Sequence, residues 1–89
     1  METKDDSPFP YRLKQARLLK GLSQKQLGIQ AGIDPFVASP RMNQYEKGVH
    51  TPDFKTVKAL ARVLNVPTAF LFCEEDDIAE MILNMSKKD

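Results

Sequence analysis

The sequence predicts an all-α fold, a single small domain made only of helices. Three observations predict it: helix-start residues alternate with glycine stops, apolar residues recur at helical spacing, and no segment alternates as a β-strand does. The 89 residues suffice for one domain with a small core, and the hydrophobic fraction of 42% is ordinary for a globular protein.

Helix 1 is predicted over about residues 10–20. Pro10 suits the first turn, where its missing N–H costs nothing, and Gly21 supplies a left-handed stop. Leu13 and Ala16 share one face of this helix and are expected to point into the core.

Helix 2 is predicted from a capping box, in which Ser23 starts the helix and Gln26 reaches back to it. Gly32 ends this helix. Gly28 lies inside it and costs about 1 kcal/mol relative to alanine. Such a glycine is reasonable where another helix crosses very close by, and otherwise it is a tolerated weak spot.

Helix 3 is predicted to begin at Ser39 and to end near Lys47. Ser39-Pro40 is an N-cap followed by a proline, and a proline cannot lie deep inside a helix. In the irregular stretch before it, Phe36 and Val37 are expected to anchor the chain to the core.

The remaining helices follow from breaks and apolar stripes. Residues 51–53 start helix 4, whose core stripe is Phe54, Val57, Leu60, Ala61 and Leu64. Residues 66–68 break it and cap a short helix 5 over 69–72. An acidic link, 74–77, leads to helix 6, which has a possible capping box from Asp77 to Glu80. Two lysines, Lys87 and Lys88, suit its C-terminal end. Its apolar stripe consists of Ile78, Met81, Ile82 and Met85.

The charges are unevenly distributed along the chain. Residues 10–62 carry ten Lys or Arg and three acidic residues, a net charge of +7, whereas residues 1–9 carry −2 and residues 63–89 carry −4. A basic body with acidic ends suits a polyanionic partner, and the alternative is that these charged helices are simply solvated.

The composition argues against several other classes of protein. Cys73 is the only cysteine and His50 the only histidine, so a disulfide, a metal site or a catalytic arrangement is not expected. No cofactor is expected either. No apolar run approaches the roughly 18 residues that span a membrane, and the acidic start is unlike a secretory signal. We therefore expect a cytoplasmic, nucleoid-associated protein that is not an enzyme.

In order and spacing, the chain resembles the Cro/phage-repressor (Xre-type) helix-turn-helix family over about residues 11–72. The matching pieces are Arg12-Leu13-Lys14 through Arg17, Gly21-Leu22-Ser23-Gln24, Leu27-Gly28, Gly32-Ile33, Tyr45-Glu46-Lys47-Gly48, Pro52 to Thr56, and Leu60-Ala61 through Val66. The resemblance implies a compact five-helix lambda-repressor-like DNA-binding domain over 10–73. Residues 1–9 would be a flexible tail, and 74–89 an acidic link and an additional C-terminal helix for packing or dimerisation.

The resemblance also implies roles for individual residues. Arg17 and Glu46 match a pair that ties helix 1 to helix 3, unless they are two unrelated surface charges. Gln24 matches a phosphate contact that can also brace the recognition helix. Further phosphate contacts are expected from the lysines at three helix ends, Lys25, Lys47 and Lys55.

One departure from the family pattern concerns the recognition helix. Between Gly32 and Tyr45 the chain is about four residues longer than the usual family spacing, with the extra residues within 34–37, so either the turn is enlarged or helix 3 gains a preceding turn. Counting back from Glu46, the candidates for base readout are Ser39, Pro40, Arg41, Asn43 and Gln44. Arginine suits guanine, and asparagine and glutamine suit adenine, so Arg41 and Gln44 are favoured, with Asn43 next.

The function that the resemblance implies is a transcriptional regulator, a repressor in particular, that binds double-stranded DNA. A homodimer would place two recognition helices in half-sites about 34 Å apart on a palindromic operator. The alternative is an antitoxin-like interaction module that binds a partner protein through 74–89 and also binds its own promoter.

Overall fold

The computed structural model describes residues 7–86, and this part of the chain contains six α-helices and no strand. The helices are α1 (Phe9–Lys20), α2 (Gln24–Gln30), α3 (Pro35–Glu46), α4 (Phe54–Leu64), α5 (Thr68–Leu71) and α6 (Asp76–Ser86). The all-α prediction is confirmed. Of the tail predicted over 1–9, residues 1–6 lie outside the described residues, as do Lys87 and Lys88, whereas Phe9 is not part of a tail because it begins α1 and is buried.

One core joins the helices. Leu13 and Ala16 of α1 are buried as expected, together with Leu27, Met42 and the α4 stripe of Val57, Leu60, Ala61 and Leu64. Phe54 departs from the predicted stripe, because it is exposed. It directly follows the N-cap Asp53, and the ammonium of Lys58 lies 5.9 Å from the centre of its ring.

The predicted start of helix 3 at Ser39 is wrong, because α3 begins one turn earlier, at Pro35. Asp34 is the N-cap: its carboxylate accepts a hydrogen bond of 2.9 Å from the backbone N–H of Phe36. Pro40 therefore lies inside the helix, where it cannot donate to the carbonyl of Phe36. Both residues are exposed, so water can reach the carbonyl that loses this bond. The four extra residues thus form an added helical turn.

Phe36 and Val37 do not anchor this turn to the core, because both are exposed. Ala38 is the buried residue there. A Cβ added to Gly28 of α2 would lie 2.9 Å from the Cβ of Ala38 and 3.1 Å from Cγ of Met42. The two helices therefore touch at a point where only hydrogen fits, as the close-crossing interpretation of Gly28 predicted.

The C-terminal part of the chain packs around a buried arginine. The Arg12 guanidinium donates to the carbonyl oxygens of Cys73 at 2.8 Å and Glu74 at 3.3 Å, and to the Asp76 carboxylate at 2.9 Å. It also lies 5.5 Å from the centre of the Phe70 ring. These bonds join α1 to the segment between α5 and α6, and nothing in the sequence pattern indicated them.

The boundaries of the last two helices shift slightly from the prediction. Helix α5 covers 68–71 rather than 69–72, and α6 already begins at Asp76. Asp77 is therefore not an N-cap; its carboxylate accepts from the adjacent N–H of Ile78. The predicted stripe of α6 is mostly exposed: Ala79 is buried, Ile82 and Leu83 are half-buried, and Ile78, Met81 and Met85 face solvent.

A second arginine fixes α3. Arg17 Nε donates to Glu46 Oε2 at 2.6 Å and its Nη2 to Glu46 Oε1 at 3.0 Å, a two-bond pair between α1 and α3. The Arg17 Nη1 also donates to the carbonyl of Leu22. The Glu46 side chain is only 4% exposed, so the two are not unrelated surface charges.

Enlarging Gly28 tests the contact between α2 and α3. We expect Gly28→Val to lower the free energy of unfolding by about 2 kcal/mol, since its methyl groups would overlap Ala38 and Met42. Urea denaturation followed by circular dichroism measures this change. Gln30→Val, on an exposed position of the same helix, is the control and should stay within about 0.5 kcal/mol of wild type. Wild-type stability of Gly28→Val would contradict the close approach.

Removing one partner of the Arg17–Glu46 pair should be costly. We expect Glu46→Gln to lower the free energy of unfolding by about 3 kcal/mol, because the guanidinium stays buried without its counter-charge. The double variant Arg17→Met/Glu46→Leu should recover much of this loss. Asp76→Asn is the control in the same urea experiment: its carboxylate is 83% exposed, so its loss should cost less than about 1 kcal/mol. Equal losses of unfolding free energy in Glu46→Gln and Asp76→Asn would contradict this ranking.

Candidate nucleic-acid interface

Helix α3 has one buried side and one outward side. Ala38, Met42 and Tyr45 face the core. Successive residues of a helix are about 100° apart around its axis, so the residues on the side opposite these three can be identified from their numbers. Its members are Phe36, Ser39, Pro40, Asn43, Gln44 and Lys47. Four of the five predicted base-reading residues thus lie on one outward side. Asn43 and Gln44 are half-buried there, whereas Arg41 is exposed but lies on the flank of this side, towards Tyr45.

Asn43 is tied to the adjacent helix. The Nε2 of Gln24, at the start of α2, lies 3.1 Å from Glu46 Oε1 and 3.3 Å from Asn43 Oδ1. Both amide hydrogens of Gln24 are therefore used within the protein. Gln24 acts here as a brace between α2 and α3, and a phosphate contact through the same amide would break one of these two bonds.

Arg41 and Gln44 line an open cleft of about 390 Å³ beside α3, and its remaining walls are Tyr45, His50 and Thr51. The loop that supplies His50 and Thr51 is held by backbone bonds: the N–H of Val49 donates to the carbonyl of Gln44 at 2.9 Å. The cleft thus brings together a guanidinium, an imidazole and a hydroxyl, all donors to an anion. The family resemblance implies that the loop over residues 48–51 lies along the sugar-phosphate backbone, but it assigns no role to the His50 side chain itself.

The three lysines predicted to contact phosphate are exposed at helix ends. Lys25 lies in the first turn of α2 and Lys47 caps the end of α3. Since Gln24 is hydrogen-bonded to Asn43 and Glu46, these two lysines lie near the same end of α3. Lys55 lies in the first turn of α4, and no described contact ties it to α3.

The start of α4 is fixed by Asp53. Hydrogen bonds from the side chain and the backbone N–H of Thr56 hold the pKa of the Asp53 carboxyl below its usual value. A lowered pKa means that this cap contributes stability at neutral pH, and that the contribution is lost as the pH falls through the folded-state pKa. The carboxylate that caps the start of α4 is therefore ionised at physiological pH.

Two other kinds of feature are absent from the part of the chain that the structure describes. Residues 7–86 contain no group of three or more His, Cys, Asp or Glu side chains that could hold a metal ion. None of the described helices is long and apolar enough to cross a membrane.

Comparison with solved structures gives a close match. The crystal structure of the transcriptional regulator BswR superposes with a TM-score of 0.87 and is 52% identical in sequence. The match covers 91% of this chain and 80% of that one.

Curated relatives match over a shorter part of their length. HTH-type transcriptional regulators of Sinorhizobium medicae and Rhizobium meliloti are each 31% identical over 61 residues, which is 68% of this chain and 41% of theirs. The SPbeta prophage-derived regulator YonR of Bacillus subtilis is 38% identical over 63 residues, 71% of this chain and 55% of its own. The chain thus spans about half the length of these relatives or less. A helix-turn-helix family model matches residues 13–71. The chain belongs to the Xre/Cro-type helix-turn-helix family.

Proposed function

We propose that this protein is a repressor that binds a palindromic operator as a homodimer, with α3 in the major groove. The observation that carries the proposal is the outward side of α3: polar side chains stand on it while Glu46 and Gly28 fix its other sides to α1 and α2. The relatives named above as transcriptional regulators support it. Such a protein would act in the cytoplasm, at the nucleoid.

Base readout is assigned to the side chains of the outward side. The amides of Asn43 and Gln44 can donate to and accept from purine edges, and Ser39 can do either through its hydroxyl. Pro40 offers only an apolar contact. Arg41, on the flank, reaches either a guanine or a phosphate, and the variant experiment below separates these two roles.

Phosphate binding is assigned to the positive groups around α3. Lys25 and Lys47 lie near its C-terminal end, and Lys55 belongs to the next helix. The cleft adds the side chains of His50 and Thr51 as further hydrogen-bond donors. Segregation of charge supports this assignment, because residues 10–62 carry +7 although the whole chain carries only +1.

Dimerisation is assigned to α6. Met81 and Met85 are 59% and 73% exposed on this helix, and Ile78 is also exposed. Methionine side chains exposed in a row on a folded helix favour contact with another protein surface. A second copy would cover them and supply the second recognition helix that a palindrome needs.

DNA binding should depend on salt and on sequence in separable ways. Sites selected from random duplex DNA should be palindromic, and the affinity should fall steeply with salt because phosphates are neutralised. Gln44→Ala should weaken the selected site about tenfold and relax one base-pair position. Lys47→Ala should weaken all sequences alike and lower the salt slope by about one. Arg41→Ala should behave like Gln44→Ala if Arg41 reads a base, and like Lys47→Ala if it contacts a phosphate.

Lys14→Ala, which removes an exposed charge from α1, is the control and should bind almost as wild type does. Fluorescence anisotropy at several salt concentrations measures all of these variants. Affinity that is independent of salt, or a folded wild-type protein that enriches no sequence, would contradict the proposed function.

The oligomeric state tests the role of α6. Wild type should sediment as a dimer at micromolar concentration, and Met81→Glu/Met85→Glu should sediment as a monomer, because four charges would be placed in one dimer interface. Leu18→Glu, at an exposed position of α1, is the control and should remain dimeric. A dimer that survives both α6 charges would contradict the assignment.

The exposed side chains of α6 also favour the second candidate, an antitoxin-like interaction module. In that case wild type is a monomer alone and binds a different small protein. The protein encoded by a short reading frame next to this gene is mixed with the wild type, and the mixture is analysed by sedimentation. The result distinguishes the homodimeric repressor from the interaction module. A mixed complex that the α6 variant fails to form would favour the interaction module.

A further inference from the structure

Phe36 is the most exposed large hydrophobic side chain in the described structure, at 93%. It lies in the added turn of α3. Phe36 is not one of the five base-reading residues that the sequence predicts, although Ser39 and Pro40, one turn further along the helix, are. A ring that is almost entirely in water, on the helix that recognises DNA, requires a physical explanation of its own.

The position of Phe36 is built into the fold. Asp34 caps the turn, Pro35 fixes its first residue, and the N–H of Val37 donates to the carbonyl of Asp34 at 3.0 Å. Ala38 then locks the turn against Gly28. The backbone that carries Phe36 is therefore held on both sides, and the ring is directed outward by the helix.

Phe36 belongs to the outward stripe of α3. Pro40, Asn43 and Lys47 follow it at four, seven and eleven residues, which is helical spacing along one side. At 1.5 Å per residue the stripe is about 16 Å long. It begins with two apolar groups, continues with an amide and ends with an ammonium.

The charges around this stripe indicate which partner covers it. Lys47 ends the stripe, Lys25 lies near that end and Arg41 lies on its flank, whereas the carboxylate of Asp34 caps the end that carries Phe36. The nearby Glu46 carboxylate is bound by Arg17. A second copy that presented the same stripe would bring these like charges together. A nucleic acid would neutralise them.

We propose that Phe36 packs against the 5-methyl group of a thymine in the major groove, and that Pro40 extends this apolar contact. The thymine methyl is the apolar group that base pairs present in that groove, and phenylalanine is among the side chains that contact it. The proposal rests on the proposed function and adds to it a specificity-determining residue in the inserted turn. The operator would carry thymine at a position outside the one read by Asn43.

Deoxyuridine tests this contact at the level of one atom group, since it lacks the methyl and keeps every hydrogen-bonding group of thymine. The site selected by wild type is prepared with each thymine replaced in turn. Wild type should lose about fourfold in affinity at one position, the equivalent of a buried methyl. Phe36→Ala should bind the thymine site about fourfold more weakly and show no further loss with deoxyuridine there.

Two control variants narrow the interpretation. Phe54→Ala, which removes another exposed phenylalanine, should keep the wild-type sensitivity to deoxyuridine. Phe36→Leu should keep part of it, because an apolar side chain remains. Circular dichroism checks that each variant is folded, and sedimentation checks its oligomeric state.

The possible failures are distinguishable. If the wild type selects a site but tolerates deoxyuridine at every thymine, the contact is overturned and the proposed function still stands. The same conclusion follows if the Phe36→Ala variant remains sensitive to the thymine methyl. Loss of dimerisation in Phe36→Ala would assign the ring to a second copy and overturn the contact. A wild type that selects no sequence overturns the proposed function together with this inference.

Discussion

The Glu46 carboxylate is the point at which three helices are held together. One oxygen accepts from Arg17 of α1 and from Gln24 of α2, and the other accepts a second bond from Arg17. The group itself belongs to α3. A buried charge of this kind is tolerated only because its counter-charge and hydrogen bonds are in place. The orientation of α3 therefore depends on one carboxylate and its partners.

Contact between α2 and α3 imposes a second constraint, because it reaches the added turn of α3. The crossing at Gly28 touches Met42 and also Ala38, one turn closer to the start of α3. Ala38 is thus the residue that allows the inserted turn to remain helical, since a larger side chain there would push the helices apart. An insertion that lay in a loop would add mobility; here it adds one turn of fixed, outward-facing helix.

Local signals predicted much of this structure, and they failed where two of them competed. The capping box at Ser23 and the crossing at Gly28 are present as predicted. Near α3, however, Asp34-Pro35 and Ser39-Pro40 are both start signals, and the rule against interior prolines selects the second. The contact of Ala38 with Gly28 instead favours a start at Asp34-Pro35, and the spacing of apolar residues in the sequence does not reveal that contact. The bonds of Arg12 were missed because they too are tertiary contacts: two backbone carbonyls and the Asp76 carboxylate accept from it, all more than sixty residues away.

The same carboxylate also orients one of the groups proposed to read DNA. Because a carboxylate only accepts, Gln24 must turn Nε2 towards Glu46, and its second hydrogen then meets the Oδ1 of Asn43. The Nδ2 of Asn43 is consequently turned away from Gln24. Under the proposed function this geometry favours a base edge rich in acceptors, such as N7 and O6 of guanine, over the adenine edge that the residue type alone suggests. Under the proposed function, a buried ion pair thereby influences which base the half-buried Asn43 reads.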